Sequence, residues 1–202
     1  QLFDAEIYIN ESDDAVQLIG MTLSLPGVHN VENALSAIIV AYKLGLTSDQ
    51  IIKGINSFKG VKRRFETHCD SDHVYIDDYA HHPQEIKVTL EAVRKLYPKK
   101  KLTVVFQPHL YSRTNDFYKQ FAQELSCADE VMLLDIYPAR ELPVEGVDSN
   151  LILNNISSKV DKNLFSKDHL LDSLKQKKKE LLVTLGAGDI DKLIVPIKSI
   201  YQ

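Results

Sequence analysis

Seven consecutive residues, Asp77-Asp78-Tyr79-Ala80-His81-His82-Pro83, gather two carboxylates, a phenol and two imidazoles within one turn of chain. They follow the apolar run Val74-Tyr75-Ile76 and precede Ile86, Leu90, Val93 and Leu96 at helical spacing, with Pro83 opening that helix. Titratable groups therefore arrive at the carboxyl end of a strand, which is where open α/β sheets bind their ligands. Such a set could ligate a metal, contact a nucleotide or polar substrate, or simply form a polar strand end leading into a helix. Adjacent histidines point in different directions, and no H-x-x-H or C-x-x-C spacing elsewhere completes a metal site.

Further groups have usable spacing. Asn30 and Asn33 lie three apart at the start of a helix-like segment, so their amides can share a face. An amide offers both the donor and the acceptor that an adenine or ribose edge requires. Taken alone, Asn30 is better read as the cap of that helix. Arg63 and Arg64, in the charged connector Gly60-Val61-Lys62-Arg63-Arg64-Phe65-Glu66, could offer a planar fork to phosphate oxygens or form a solvated surface pair. His109 and Arg113 fall in a loop after the run Leu102–Phe106, and an arginine fork fits a carboxylate bidentately. Gly186-Ala187-Gly188-Asp189 is a weak phosphate signal, better explained by tight strand-to-helix packing; Tyr111 and Tyr118 read as packing residues.

These groups need a frame. The chain has 202 residues, a formal net charge of −4, ordinary apolar and charged fractions, and neither a long apolar run nor a signal-peptide pattern. That composition argues against a disordered or membrane-spanning chain and gives no global case for nucleic acid. The basic cluster Lys175 to Lys179 closes a helix-like segment, where the dipole favours cations. Cys69 and Cys127 are distant and lack metal-ligand spacing, which points to a reduced, cytoplasmic setting.

Residues 3–9 and 16–25 alternate apolar and polar, predicting an antiparallel pair turned at Glu11-Ser12-Asp13-Asp14. Pro26-Gly27 ends the pair, and a helix follows that buries Val31, Ala34, Leu35, Ile38, Ile39 and Tyr42 and stops near Gly45. Thr47 and Gln50 form a capping box for a second short helix. Beyond the connector, residues 74–76, 102–106, 130–134 and 181–185 read as buried parallel strands. Helical segments separate or follow them at 83–97, about 115–125, 149–157, about 168–176, and after Gly188 through Ile200. The expected class is α/β: a doubly wound, Rossmann-like, mostly parallel sheet, preceded by the tail of another domain.

Five stretches, in order, resemble the Mur ligases, the ATP-dependent amide-bond-forming enzymes of peptidoglycan synthesis. They are Gly27-Val28-His29-Asn30-Val31-Glu32-Asn33-Ala34, the connector Gly60 to Glu66, Asp78 to Pro83, Phe106-Gln107-Pro108-His109-Leu110-Tyr111-Ser112-Arg113-Thr114, and Leu134-Asp135-Ile136-Tyr137-Pro138-Ala139-Arg140-Glu141. The last two are similar to the branch that joins L-alanine to UDP-N-acetylmuramate. Leu110 departs from it, standing where many relatives carry another arginine. Gly186 to Asp189 also resembles a family segment, which supports the fold and adds little about chemistry.

The resemblance implies that residues 1–62 end a central ATP-binding domain and residues 63–202 form the C-terminal domain that receives the amino acid. It implies ATP and Mg²⁺ as cofactors, UDP-N-acetylmuramate and L-alanine as substrates, an acyl-phosphate intermediate, a bacterial cytoplasmic setting, and no nucleic-acid or membrane partner. By the same resemblance Asn30 and Asn33 line the nucleotide site, and Arg64 rather than Arg63 is the ATP-contacting arginine. Asp78 meets the ribose and His82 lies close to the base. Tyr79 and His81 face the incoming amino acid, while His109 and Arg113 hold its carboxylate. Arg64 and Asp78 are then the catalytic candidates, and no residue is assigned to a metal. The sequence holds no G-x-x-G-K-[ST] loop, so this stretch by itself is expected to lack ligase activity. Three other readings stay open: a recycling ligase that joins UDP-N-acetylmuramate to a tripeptide, a non-catalytic nucleotide- or amino-acid-binding module, and a metal-dependent phosphoesterase using Asp77, Asp78, His81 and His82.

Overall fold

A computed structural model describes residues 1–8 and 15–202, so the turn expected at Glu11 to Asp14 lies outside the described residues. The chain divides into two compact units, Gln1–Val61 and Lys62–Gln202. In the first unit, β1 (Leu2–Ile7) and β2 (Val16–Thr22) pair antiparallel, followed by α1 (Val28–Lys43) and α2 (Ser48–Ser57). Strand alternation sends Ala5, Leu18 and Met21 to one side, where Ile38 and Ile51 of the helices close a small core. The Thr47 capping box forms as read: Thr47 Oγ1 accepts from Gln50 N, and Gln50 Oε1 accepts from Thr47 N at 2.9 Å.

Two readings of this unit need correction. Asn30 does not cap α1. Gly27 does, at φ +97, and a Cβ there would sit 2.6 Å from Cε1 of His29, so the turn requires glycine. Asn30 instead donates its side-chain amide to Pro26 O at 2.7 Å. Ile39, expected in the core, is exposed on the outer side of α1.

The second unit is a six-stranded sheet between two helical layers. Its elements are β3 (Glu66–Asp70), β4 (Val74–Asp78), α3 (Pro83–Leu96), β5 (Leu102–Phe106), α4 (Tyr111–Leu125), β6 (Glu130–Leu134), α5 (Asn150–Leu153), β7 (Asp161–Phe165), α6 (Lys167–Gln176), β8 (Leu181–Leu185) and α7 (Ile194–Tyr201). The strand order is β3-β4-β8-β5-β6-β7, with every pairing parallel except β3 to β4. Val74, Ile76, Val104, Phe106, Val131, Leu133 and Val183 face one buried cluster with Ile86, Leu90 and Phe121. Tyr75, Val105, Met132, Leu134 and Leu182 face the other with Leu170, Leu174, Ile197 and Tyr201. The four interior strands are therefore apolar on both faces, which is what made them readable as runs.

The two edge strands, β3 and β7, escaped that reading because their sequences, Glu-Thr-His-Cys-Asp and Asp-Lys-Asn-Leu-Phe, carry the polar side chains of half-exposed edges. The helix expected over 149–157 is α-helical only for Asn150–Leu153. Helix α4 begins at Tyr111 rather than near residue 115, which moves Arg113 from a loop onto a first helical turn. No helix among the described residues is long and apolar enough to cross a membrane.

Four non-glycine residues among those described adopt left-handed backbone: Arg63, Phe65, Leu110 and Ala139, at φ 60, 48, 73 and 52. All four lie in segments that border the carboxyl ends of β4, β5 and β6. Each such residue costs about 1–2 kcal/mol, so the surroundings must enforce it, and strain of this kind concentrates at binding sites.

Candidate active site

Asp77 and Asp78 end β4 and point to opposite faces of the sheet. Asp77 is fully buried. Its Oδ2 pairs with Arg63 Nε at 2.9 Å, and its Oδ1 accepts from Thr184 Oγ1 at 2.5 Å. Arg63 Nη2 donates to Gly186 O at 2.7 Å, and the guanidinium lies over the Tyr79 ring, 5.4 Å from its centre. Arg63 is thus a strut joining the connector to the ends of β4 and β8, neither a phosphate fork nor a solvated surface arginine. Arg64 beside it is exposed, and its charge acts on Asp78.

Asp78 holds the connector from the other side. Its Oδ2 accepts from Phe65 N and its Oδ1 from Ala80 N, both at 2.8 Å, leaving each oxygen further lone pairs. Burial pushes its pKa up from 3.8 to about 6, against the two backbone N–H bonds and the Arg64 charge, which pull it down. An acid with a raised folded pKa stabilises the fold in its protonated state. That contribution is complete below pH 3.8 and is lost as pH rises through about 6. A carbon-detected titration of the Asp78 carboxyl should show its midpoint near 6, and an ordinary carboxylate midpoint would overturn this assignment.

The segment after Asp78 turns the remaining groups outward. Tyr79, 40 % exposed, meets the His81 ring edge-on at 5.1 Å, and His81 meets His109 at 6.0 Å. His82 precedes α3, accepts from Gln84 N through Nδ1, and lies 4.9 Å from the Phe117 ring. Glu85 accepts from the backbone N–H of both His81 and His82 and pairs with His81 Nδ1 at 3.2 Å. Asp77, Asp78, His81 and His82 are each engaged separately and do not converge. No cluster of three or more His, Cys, Asp or Glu side chains suited to a metal occurs among the described residues.

At the end of β5, Tyr137 fixes the next turn. Leu110 N donates to Tyr137 O and Tyr137 N to Pro108 O, while the Tyr137 ring stacks on His109 with centres 5.7 Å apart. Leu110, left-handed and apolar, cannot cap α4. Glu141 takes that role from the loop after β6, accepting from Ser112 N at 3.0 Å and Ser112 Oγ at 2.5 Å. These bonds, the Ser112 hydroxyl foremost, hold its carboxyl below the usual range. Two polar atoms at this turn are buried without a hydrogen-bond partner: Nδ1 of His109 and Nη1 of Arg113. Burial, then the Arg113 and His81 charges, lower the His109 pKa, with Glu141 opposing them. Unpaired buried polar atoms are uncommon and mark a place where a ligand can complete the bonding.

A cavity of about 410 Å³ opens beyond Tyr137, lined by Gln107, Asp135, Ser166, Lys167 and Asp189 among others. Gln107 braces its floor, donating to Asp189 and accepting from Ile190 N. A Cβ on Gly188 would lie 2.6 Å from both Gln107 Oε1 and Tyr137 Cβ, so the glycine loop serves close packing, as its sequence suggested.

The structure therefore brings Arg64, Asp78, Tyr79, His81, His82, His109 and Arg113 to the carboxyl-end rim of the second unit. Asn30 and Asn33 lie in the first unit, Asn33 exposed on α1. Sequence reasoning missed Arg63 as a strut, Tyr137 as the wall beside His109, and Glu141 as the cap of α4. Only the left-handed turns and the contacts across strands reveal them.

The family model of the Mur ligase, glutamate ligase domain, matches residues 63–190. The chain belongs to the Mur ligase family. UDP-N-acetylmuramate–L-alanine ligases are among its relatives: the Cytophaga hutchinsonii enzyme is 46% identical over 98% of this chain, and the Porphyromonas gingivalis enzyme 50% identical over 92%. This Mur ligase chain spans about two fifths of the length of those relatives, 43% and 41%. The solved UDP-N-acetylmuramate–alanine ligase of Thermotoga maritima matches with a TM-score of 0.72 at 28% identity, over 93% of this chain and 40% of that one. A murein peptide ligase from Psychrobacter arcticus, at 21% identity and a TM-score of 0.69, covers 98% of this chain and 44% of that one and shares the fold.

Proposed function

We propose that this chain is the acceptor-receiving part of an ATP-dependent ligase that joins L-alanine to UDP-N-acetylmuramate in peptidoglycan synthesis. In this reading residues 1–62 end the ATP-binding domain and residues 63–202 receive the amino acid. A carboxylate oxygen of the muramate attacks the γ-phosphorus of ATP and ADP leaves, giving an acyl phosphate. The amine of L-alanine then attacks the acyl carbon, loses a proton, and expels phosphate.

The observation that carries the reading is the pair of unpartnered buried nitrogens on His109 and Arg113, set one turn apart where β5 meets α4. A neutral imidazole and a guanidinium fork suit a small carboxylate, and the rings of Tyr137 and His81 stand beside the imidazole. Arg64, exposed at the strand end, supplies the fork for phosphate oxygens, where charge builds during transfer. In the second unit Asp78 and His82 address the ribose and base; in the first unit Asn30 and Asn33 carry amides suited to a nucleotide edge. Tyr79 and His81 border the acceptor. Mg²⁺ would be carried largely by phosphate oxygens and water; no ligand for it is assigned in this chain, and no step is derived through it. The setting is a reducing bacterial cytoplasm, in keeping with free Cys69 and Cys127.

The test is phosphate release by the full-length polypeptide that contains this chain. Release should require ATP, UDP-N-acetylmuramate and L-alanine together. An equal or faster rate with the tripeptide in place of L-alanine would transfer the assignment to the recycling ligase, and saturable ATP binding without turnover would transfer it to a binding module.

A further inference from the structure

An amino acid at neutral pH presents an ammonium one carbon away from its carboxylate, and the Arg113 cation at the β5–α4 turn answers only half of that charge pattern. We propose that Glu141 is the other half: the carboxylate that recognises the ammonium group of the acceptor amino acid. This rests on the acceptor site proposed above.

Glu141 reaches the turn from a different strand end and is tied to Ser112, the residue directly before Arg113. Among the charged groups that act on His109, Arg113 and His81 are basic and Glu141 is the acid. Its two bonds to Ser112 and a backbone bond from Tyr111 occupy three of the about four acceptor sites of a carboxylate, which leaves about one for a ligand. The residue is half-buried, beside the turn that holds the unpartnered nitrogens of His109 and Arg113. Capping α4 alone would be served by a neutral Ser, Thr or Asn at the N-cap. Here the N-cap is a left-handed leucine, and a full negative charge arrives from a neighbouring loop whose own backbone turns left-handed at Ala139. Glu141 thus brings a fixed anion to the turn that carries Arg113 and His109, the mix of charges that a zwitterion requires.

The test compares Glu141→Gln with wild type in the full-length polypeptide, measuring KM for L-alanine and the inhibition constant of propionate, which has the carboxylate and the methyl group but no ammonium. Glutamine keeps an acceptor for Ser112 N–H. KM for L-alanine should rise about tenfold to hundredfold, the worth of one charged hydrogen bond, while propionate inhibits both proteins equally. An unchanged KM overturns the proposal. So does a parallel loss of propionate inhibition, which would make Glu141 merely the support of Arg113 and His109. Failure of propionate to compete with L-alanine in wild type would also overturn the division into two subsites. If the wild-type protein does not consume L-alanine, the acceptor reading itself falls, which the control shows before any variant is measured, and the role of Glu141 falls with it.

Discussion

Replacing Asp77 by alanine is expected to destabilise the second unit by about 3–5 kcal/mol, the largest stability effect at the site, because it leaves a half-buried guanidinium without its carboxylate. Arg63 would keep one bond to Gly186 O and lose its charge partner, and Thr184 Oγ1, which also bonds Tyr75 OH, would lose its acceptor. The left-handed backbone at Arg63 and Phe65 depends on this strut, since Tyr79 N donates to Arg63 O and Asp78 holds Phe65 N. Urea unfolding followed by tyrosine fluorescence measures the effect. Arg64→Ala is the contrast: an exposed side chain should change stability by no more than about 0.5 kcal/mol. Equal midpoints for Asp77→Ala and wild type would mean that packing, not the ion pair, holds the strand end.

The largest functional effect is expected at Arg113. In the full-length polypeptide, Arg113→Ala should raise KM for L-alanine about a hundredfold, with KM for ATP within about threefold of wild type. Arg113→Lys restores the charge without the planar fork, so about a tenfold deficit should remain. Nη1 of Arg113 is buried without a partner, so the loss should appear in acceptor binding rather than in the unfolding midpoint. Unchanged KM for L-alanine in Arg113→Ala would move the carboxylate elsewhere. A proportional rise in KM for every substrate would make the effect structural.

The interior of the fold was legible because β4, β5, β6 and β8 bury both faces and so read as short apolar runs, whereas β3 and β7 hide among polar residues at the edges. The position of the candidate site was legible for a related reason: Asp78, His81 and His82 immediately follow one such run, and His109 another. Residue type and spacing alone could not rank two adjacent arginines of the same chemistry; only the family resemblance favoured Arg64. Their division of labour depends on a left-handed turn at Arg63 that aims its side chain at Asp77 and leaves Arg64 outward. Glu141 was hidden by distance along the chain, since it caps a helix that starts thirty residues earlier by way of the Tyr137 bridge. The early start of α4 was missed because a leucine at the N-cap gives no capping signal.

The central claim is that this chain receives the acceptor in a reaction that passes through an acyl phosphate. The measurement that addresses it most directly uses UDP-N-acetylmuramate labelled with ¹⁸O in the lactyl carboxylate, incubated with the full-length polypeptide, ATP and L-alanine, with the products read by mass spectrometry. Attack on the γ-phosphorus followed by amine displacement carries one carboxylate oxygen into each phosphate released and leaves the other in the new amide. The account predicts one ¹⁸O per phosphate, in step with formation of the alanyl product. Unlabelled phosphate alongside that product would contradict it.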